Sequence, residues 1–295
     1  AFRLAQFFMR DYDEEAAMLV ELGRALERFS ALVSFNGRAF DWPLLETRFI
    51  LARRPVPMDD ALHLDLLHLA RRLWRARLPS CSLSSLEEHV LGVQRTSQDV
   101  PGWLVPQLYF DYLRSGDASP LGQVFYHNAQ DVLSLVTLSA YLGRIGKDPF
   151  NGCLWHGEDF GSLGRLFEMS GDPEAAIQAY RRALACPASA KSRRAIVFQL
   201  SFLYKQLGER EKAVELWHSA LGEGKLYPYI ELAKYYEHWS KDYEQAARLV
   251  GEAISLVRAP GYPEARRQRD LAELEHRLRR LQRKCSTVEK PDWGG

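Results

Sequence analysis

The chain has 295 residues, 46% of them apolar and 26% charged, with a formal net charge of +1. That is enough apolar material for buried cores and more length than one typical core uses, so two domains are expected. The near-neutral balance excludes a surface-wide basic field, and any nucleic-acid groove has to be a local patch.

In chain order, residues 2–9 alternate weakly (Phe2, Leu4, Phe7, Met9) and predict a strand. Residues 12–29 place Ala16, Leu19, Val20, Leu22, Leu26 and Phe29 at helical spacing, with acidic residues in the first turn. A short apolar strand at 31–35 runs into Asn36-Gly37, which breaks it, and a helical pattern follows over 43–53. Residues 61–66 read as a strand leading into a helix over 66–77, and further helices are expected at 83–90, 106–113 and 120–143. Strands alternating with helices imply an α/β domain over 1–148. The turn-rich Gly-Lys-Asp-Pro-Phe-Asn-Gly run marks a boundary within 146–157.

Beyond it the pattern is helical and repeats itself. Leu163, Gly164, Phe167, Gly171, Ala176, Tyr180 and Ala183 have the same spacing as Leu200, Ser201, Tyr204, Gly208, Ala213, Trp217 and Ala220. A third copy starts at Leu232, Ala233 and Tyr236 and reaches Ala246, Val250 and Ala253 with one residue inserted. Repeat distances of 37 and 32 bracket the 34 of a tetratricopeptide repeat, which this pattern resembles. The repeat domain is expected over 157–285, ending in a polar closing helix at 263–284, with a tail at 286–295. Its aromatics, Tyr180, Tyr204, Trp217 and Tyr236, read as core.

Two stretches bear on chemistry. Asp41 stands after Asn36-Gly37-Arg38, at the carboxyl end of a strand, where ligand crevices of open α/β sheets lie. Taken alone, Asp41 reads as a helix N-cap, with Pro43 tolerated in the first turn. His127 and Asp131 are i and i+4 near the start of the 120–143 helix, so they share one face. NGRAFDWPLL followed by HNAQDVLSL resembles the ribonuclease H-like domain of DEDD-type 3′–5′ exonucleases, in the YprB-like branch. The intervening LPSCSLSSLEEHVLG and DVPGWLVPQLYFDYLRSGD are similar to that branch too, and the likeness covers residues 1 to about 145.

The resemblance implies a mixed, five-stranded sheet and a two-metal site of converging carboxylates for Mg²⁺ or Mn²⁺. It implies that two strands, carrying a D-x-E, precede Ala1 and sit between visible ones, so that the chain is a fragment with an incomplete sheet and an open apolar gap. By the same resemblance Asp131 would hold the metal that carries the nucleophilic water, Asp41 would support the second, and His127 would be the general base. One departure stands out. The family places a His base five residues before the last Asp or a Tyr base four before, whereas this chain has Tyr126 at five and His127 at four. Asn36 and Arg38 are the expected nucleic-acid contacts.

Other clusters have ordinary readings beside functional ones. His63, Asp65 and His68 mimic a metal set, but Asp65 suits a cap for the following helix. Arg71, Arg72, Arg75 and Arg77 around Trp74 could hold phosphates, or be a solvated face with Trp74 in the core. The closing helix is basic (Arg266, Arg267, Arg269, Arg277, Arg279, Arg280, Arg283, Lys284), interleaved with acids, and reads as a solvated cap or a nucleic-acid contact. The four cysteines, Cys81, Cys153, Cys186 and Cys285, form no Cys-x-x-Cys pair and suit reduced thiols in a cytoplasmic protein. With no 18-residue apolar run and no signal or lipidation signature, no membrane partner is expected. Two functions follow as expectations. One is a metal-dependent exonuclease on DNA or RNA, with repeats that engage a protein partner and a fragment that is inactive alone. The other is a non-catalytic adaptor with a degenerate nuclease domain.

Overall fold

The computed structural model describes residues 2–58, 60–94, 100–150 and 152–288. The chain divides into two compact units, Ala1–Trp155 and His156–Gly295. Among the described residues no helix is long and apolar enough to cross a membrane.

The first unit is built on two strands, β1 (Ala31–Ser34) and β2 (Leu62–Asp65), with α1 (Glu15–Leu26) before them and α2 (Asp41–Leu51) between them. The strands pair in parallel, from Ala31 opposite Leu62 to Ser34 opposite Asp65. Paired residues of a parallel sheet share a face, so Val33, Leu62 and Leu64 point the same way, and all three are exposed. The opposite face turns Ser34 and Asp65 inward. The face of Val33, Leu62 and Leu64 is apolar and open. β1 and β2 are direct neighbours.

Residues 2–9 are not a strand. They find side-chain partners instead of a ladder. Phe8 packs edge-on against Tyr109 and Phe125, and the Gln6 amide donates to the Phe125 carbonyl at 2.8 Å and to Asn128 Oδ1 at 3.0 Å. Of the alternating set, Phe2, Leu4 and Phe7 remain exposed and only Met9 is half-buried, so a weak alternation alone does not make a strand.

After β2 the chain turns into α3 (Leu66–Trp74), whose Leu66, Leu67, Ala70, Leu73 and Trp74 form one buried stripe at helical spacing. Trp74 is fully buried and lies 6.2 Å from the Tyr141 ring. Arg71, Arg72 and Arg75 are exposed, so this stretch is a solvated face over a core tryptophan. Next come α4 (Leu83–Leu86), continued by a π-helical turn, then α5 (Val105–Ser115) and the 27-residue α6 (Leu121–Lys147).

The second unit stacks three helix pairs: α7 (Gly157–Ser170) with α8 (Pro173–Ala185), α9 (Ala190–Gln206) with α10 (Arg210–Ser219), and α11 (Tyr227–Tyr235) with α12 (Tyr243–Arg258). Helix α13 (Glu264–Val288) closes the stack. It covers the first three positions of the expected tail, and 289–295 lie outside the described residues. The repeated small residues Ala176, Ala183, Ala213, Ala233, Ala246 and Ala253 are all buried where helices cross, and Tyr180, Tyr204 and Trp217 fill the space between. Tyr236 is half-buried, with its hydroxyl 3.1 Å from His218 Nε2.

The closing helix departs from the expectation of a purely solvated cap. Arg277, Arg280 and Lys284 converge on Glu237, a fully buried carboxylate in the turn after α11, at 3.1, 2.7 and 2.8 Å. Burial by itself would raise this carboxyl, but the hydrogen bonds and charges of Arg280 and Lys284 outweigh it and hold its pKa at about 2. Part of the basic pattern is therefore a lock between helices.

Candidate active site

The carboxyl end of β1 is shaped by three residues in succession. Asn36 takes a left-handed conformation (φ +63°), which asparagine tolerates better than most residues. Gly37 is buried, and a Cβ there would lie 2.6 Å from Ser34 Cβ, so no larger side chain fits without displacing the strand end. The backbone then closes on itself, with the N–H of Phe40 and of Trp42 donating to the carbonyls of Asn36 and Gly37.

Asp65 holds this loop from the neighbouring strand. Its Oδ1 accepts the backbone N–H of Asn36 at 2.9 Å and of Leu67 at 3.1 Å, and its Oδ2 accepts that of Arg38 at 3.2 Å. Burial pushes the Asp65 carboxyl upward, but the three backbone donors prevail and its pKa lies below the ordinary carboxylate value. One buried carboxylate thus caps α3 and clamps the β1–α2 loop. The cap is legible in the sequence. The clamp is not, because it depends on β1 and β2 being neighbours. His63 is likewise occupied, with Nε2 2.8 Å from Ser34 Oγ across the sheet.

Asp41 is the first residue of α2, not its cap. Phe40 holds the cap position and makes no side-chain capping bond. The Asp41 carboxylate is exposed at the positive end of the helix and near Gly37, and it accepts no hydrogen bond among the described residues. The Arg38 side chain is also exposed at this end of the strand.

His127, Asn128 and Asp131 line a cleft of about 510 Å³, together with Ser84, Val100 and Val105. The i, i+4 spacing on α6 puts the imidazole and the carboxylate on that one face, as expected. The backbone N–H of Val100 donates to His127 Nε2 at 3.1 Å, so the neutral ring carries its proton on Nδ1. Tyr126 is 54% exposed and does not line the cleft. Asn128 joins the site without any signal in the spacing, and its amide oxygen is held by Gln6 from the amino-terminal segment.

Of the expected site residues, the fold brings His127 and Asp131 to one cleft, and it gathers Asn36, Arg38 and Asp41 at the end of β1. Asp41 does not line the His127–Asp131 cleft. Among the described residues no three His, Cys, Asp or Glu side chains converge on a point that could hold a metal ion. The acidic groups of the described residues do not by themselves fit a two-metal centre.

Comparison with known proteins agrees with this architecture. Residues 1–143 match the RNase H superfamily, and residues 161–226 match a tetratricopeptide repeat. Over 263 residues the chain is 32% identical to a Bacillus subtilis (strain 168) protein named "Uncharacterized protein YprB". That alignment covers 88% of this chain and 61% of the relative, so the chain spans about six-tenths of the curated relative it matches.

Proposed function

We propose that this chain, which belongs to the RNase H superfamily through residues 1–143 and carries tetratricopeptide repeats behind them, is part of a metal-dependent 3′–5′ exonuclease. The observation that carries the reading is the cleft shared by His127 and Asp131 on one face of α6. In it the half-buried His127 imidazole shares the cleft with a carboxylate and can take a proton at Nε2 once a water displaces the Val100 N–H. Asp131 is the ligand this cleft offers to Mg²⁺ or Mn²⁺, and Asp41 is a second carboxylate at the strand end. Metal ions held there would supply charge neutralisation at a scissile phosphate. Asn36 and the exposed Arg38 would meet the nucleic-acid backbone, and the repeats would engage a protein partner. The reading places the work in the cytoplasm.

The test is Mn²⁺-dependent release of nucleotides from the 3′ end of a 5′-labelled oligonucleotide by the full-length protein. Wild type is expected to shorten the strand and Asp131→Asn to lose at least a hundredfold in rate. Equal digestion by both proteins overturns the assignment. That no metal-ligating set converges among the described residues favours a second reading, a non-catalytic adaptor. A full-length wild type that leaves every 3′ end intact would establish it.

A further inference from the structure

A cleft of about 380 Å³ opens in the repeat domain where the end of α9, helix α10, the end of α11 and the following π-helical turn meet. Its cations come from Lys205, Arg210 and Lys234, and its only carboxylate is Glu231. Both lysines pair with Glu231, which is nearly buried and held below the ordinary carboxylate pKa; burial opposes that shift, and the two lysine bonds overcome it. Arg210 has no carboxylate partner among the described residues. Its guanidinium instead sits 3.5 Å from the ring centroid of Trp239, which is 59% exposed. The cleft therefore keeps a surplus of positive charge beside an aromatic wall of Trp217, Tyr235 and Trp239.

Trp217 is 4% exposed and gives the wall a fixed base. Surplus cations and an aromatic wall in one cleft describe a receptor for an acidic chain that buries one large apolar side chain.

We infer that this cleft docks an acidic peptide segment of a partner protein, seating one apolar side chain between Trp217 and Trp239, with its carboxylates facing Arg210 and the two lysines. The inference rests on the reading of the repeats as a protein-docking domain, and names the site and the chemistry. A single-stranded nucleic acid fits less well. It needs cations tracking several phosphates, whereas these are gathered in one cleft, and Arg210 already stacks on the Trp239 ring.

The experiment presents the whole chain to an array of synthetic decapeptides. Acidic content and a central Leu, Phe or Trp are varied, and a fifteen-residue oligothymidine is the nucleic-acid probe. Acidic peptides with a central apolar residue are expected to bind. Copies with Gln and Asn in place of the acids should weaken at least tenfold, as should Arg210→Glu and Trp239→Ala. Arg210→Gln removes the charge without reversing it and guards against misfolding; it should also weaken binding. Peptide hits that ignore the Arg210 and Trp239 changes sink the cleft and spare the docking reading, and silence across the array counts against both. A preference for oligothymidine over every peptide, lost in Arg210→Glu, overturns the inference in favour of a nucleic-acid site.

Discussion

The backbone N–H of Asn36 donates to Asp65 Oδ1 at 2.9 Å, tying the loop that leads to Asp41 to the end of the neighbouring strand. The loop that carries Arg38 and leads to Asp41 thus owes its shape to a carboxylate on the neighbouring strand. Asp65→Asn keeps the shape but replaces one acceptor oxygen with an amide NH₂, which donates and cannot accept an N–H. A loss of about 1–3 kcal/mol is expected, read as a lower urea midpoint of the chain. Because its folded pKa is depressed, the Asp65 contribution is present above the unfolded carboxylate value and lost as pH falls through the folded one. The midpoints of wild type and Asp65→Asn should therefore converge in acid.

His127 and Tyr126 exchange the places usual for a base, and the geometry favours His127, which faces the Asp131 cleft while Tyr126 faces solvent. In the full-length protein His127→Gln should slow nucleotide release by about 10²–10⁴-fold, the usual contribution of a general base. Tyr126→Phe should leave the rate unchanged. The reverse pattern would move the base to Tyr126.

Gly164 and Gly251 are both helical, yet opposite signs are expected on changing them to alanine. A Cβ on Gly164 would come 2.5 Å from the buried Tyr180 ring, so Gly164→Ala should destabilise by about 1–3 kcal/mol through overpacking. At Gly251 nothing lies within 4 Å, and alanine should stabilise by about 0.5–1 kcal/mol through helix propensity alone. Thermal melts of the two variants decide it.

Glu237 is fully buried beneath Arg277, Arg280 and Lys284, with His238 also 3.7 Å away. Glu237→Gln leaves these cations without their shared anion, and a cost of about 3 kcal/mol is expected, first as detachment of α13. With its pKa lowered to about 2, the wild-type carboxylate contributes fully above the ordinary carboxylate range, and the contribution fades as pH falls toward 2. The gap between wild type and Glu237→Gln in thermal midpoint should be large at pH 7 and small near pH 2. A constant gap would show that the cluster contributes by packing instead of charge.

The repeats were almost wholly legible, because their pattern is local. A small residue such as Ala176 or Gly164 and a large one such as Tyr180 recur at spacings set by two helices crossing, and that geometry is the same in every pair. The 31–35 strand, the break at Asn36-Gly37 and the His127–Asp131 face were legible for the same reason, since strand and helix periods act within a dozen residues. Long-range partners were not. Whether residues 2–9 form a strand depends on what they meet, and Phe8 and Gln6 meet α5 and α6.

The sequence by itself thus carried the likeness of residues 1–143 to the RNase H superfamily, the order of the elements and the small-and-large rhythm of the repeats, all properties of neighbouring residues. Only the tertiary structure decided the pairing of charges. It gave Asp65 to the backbone of another strand, gave Glu237 to a helix about 40 residues further on, and left Asp41 outside the cleft of Asp131. A buried charge needs a partner in space, and distance along the chain does not say where that partner will be.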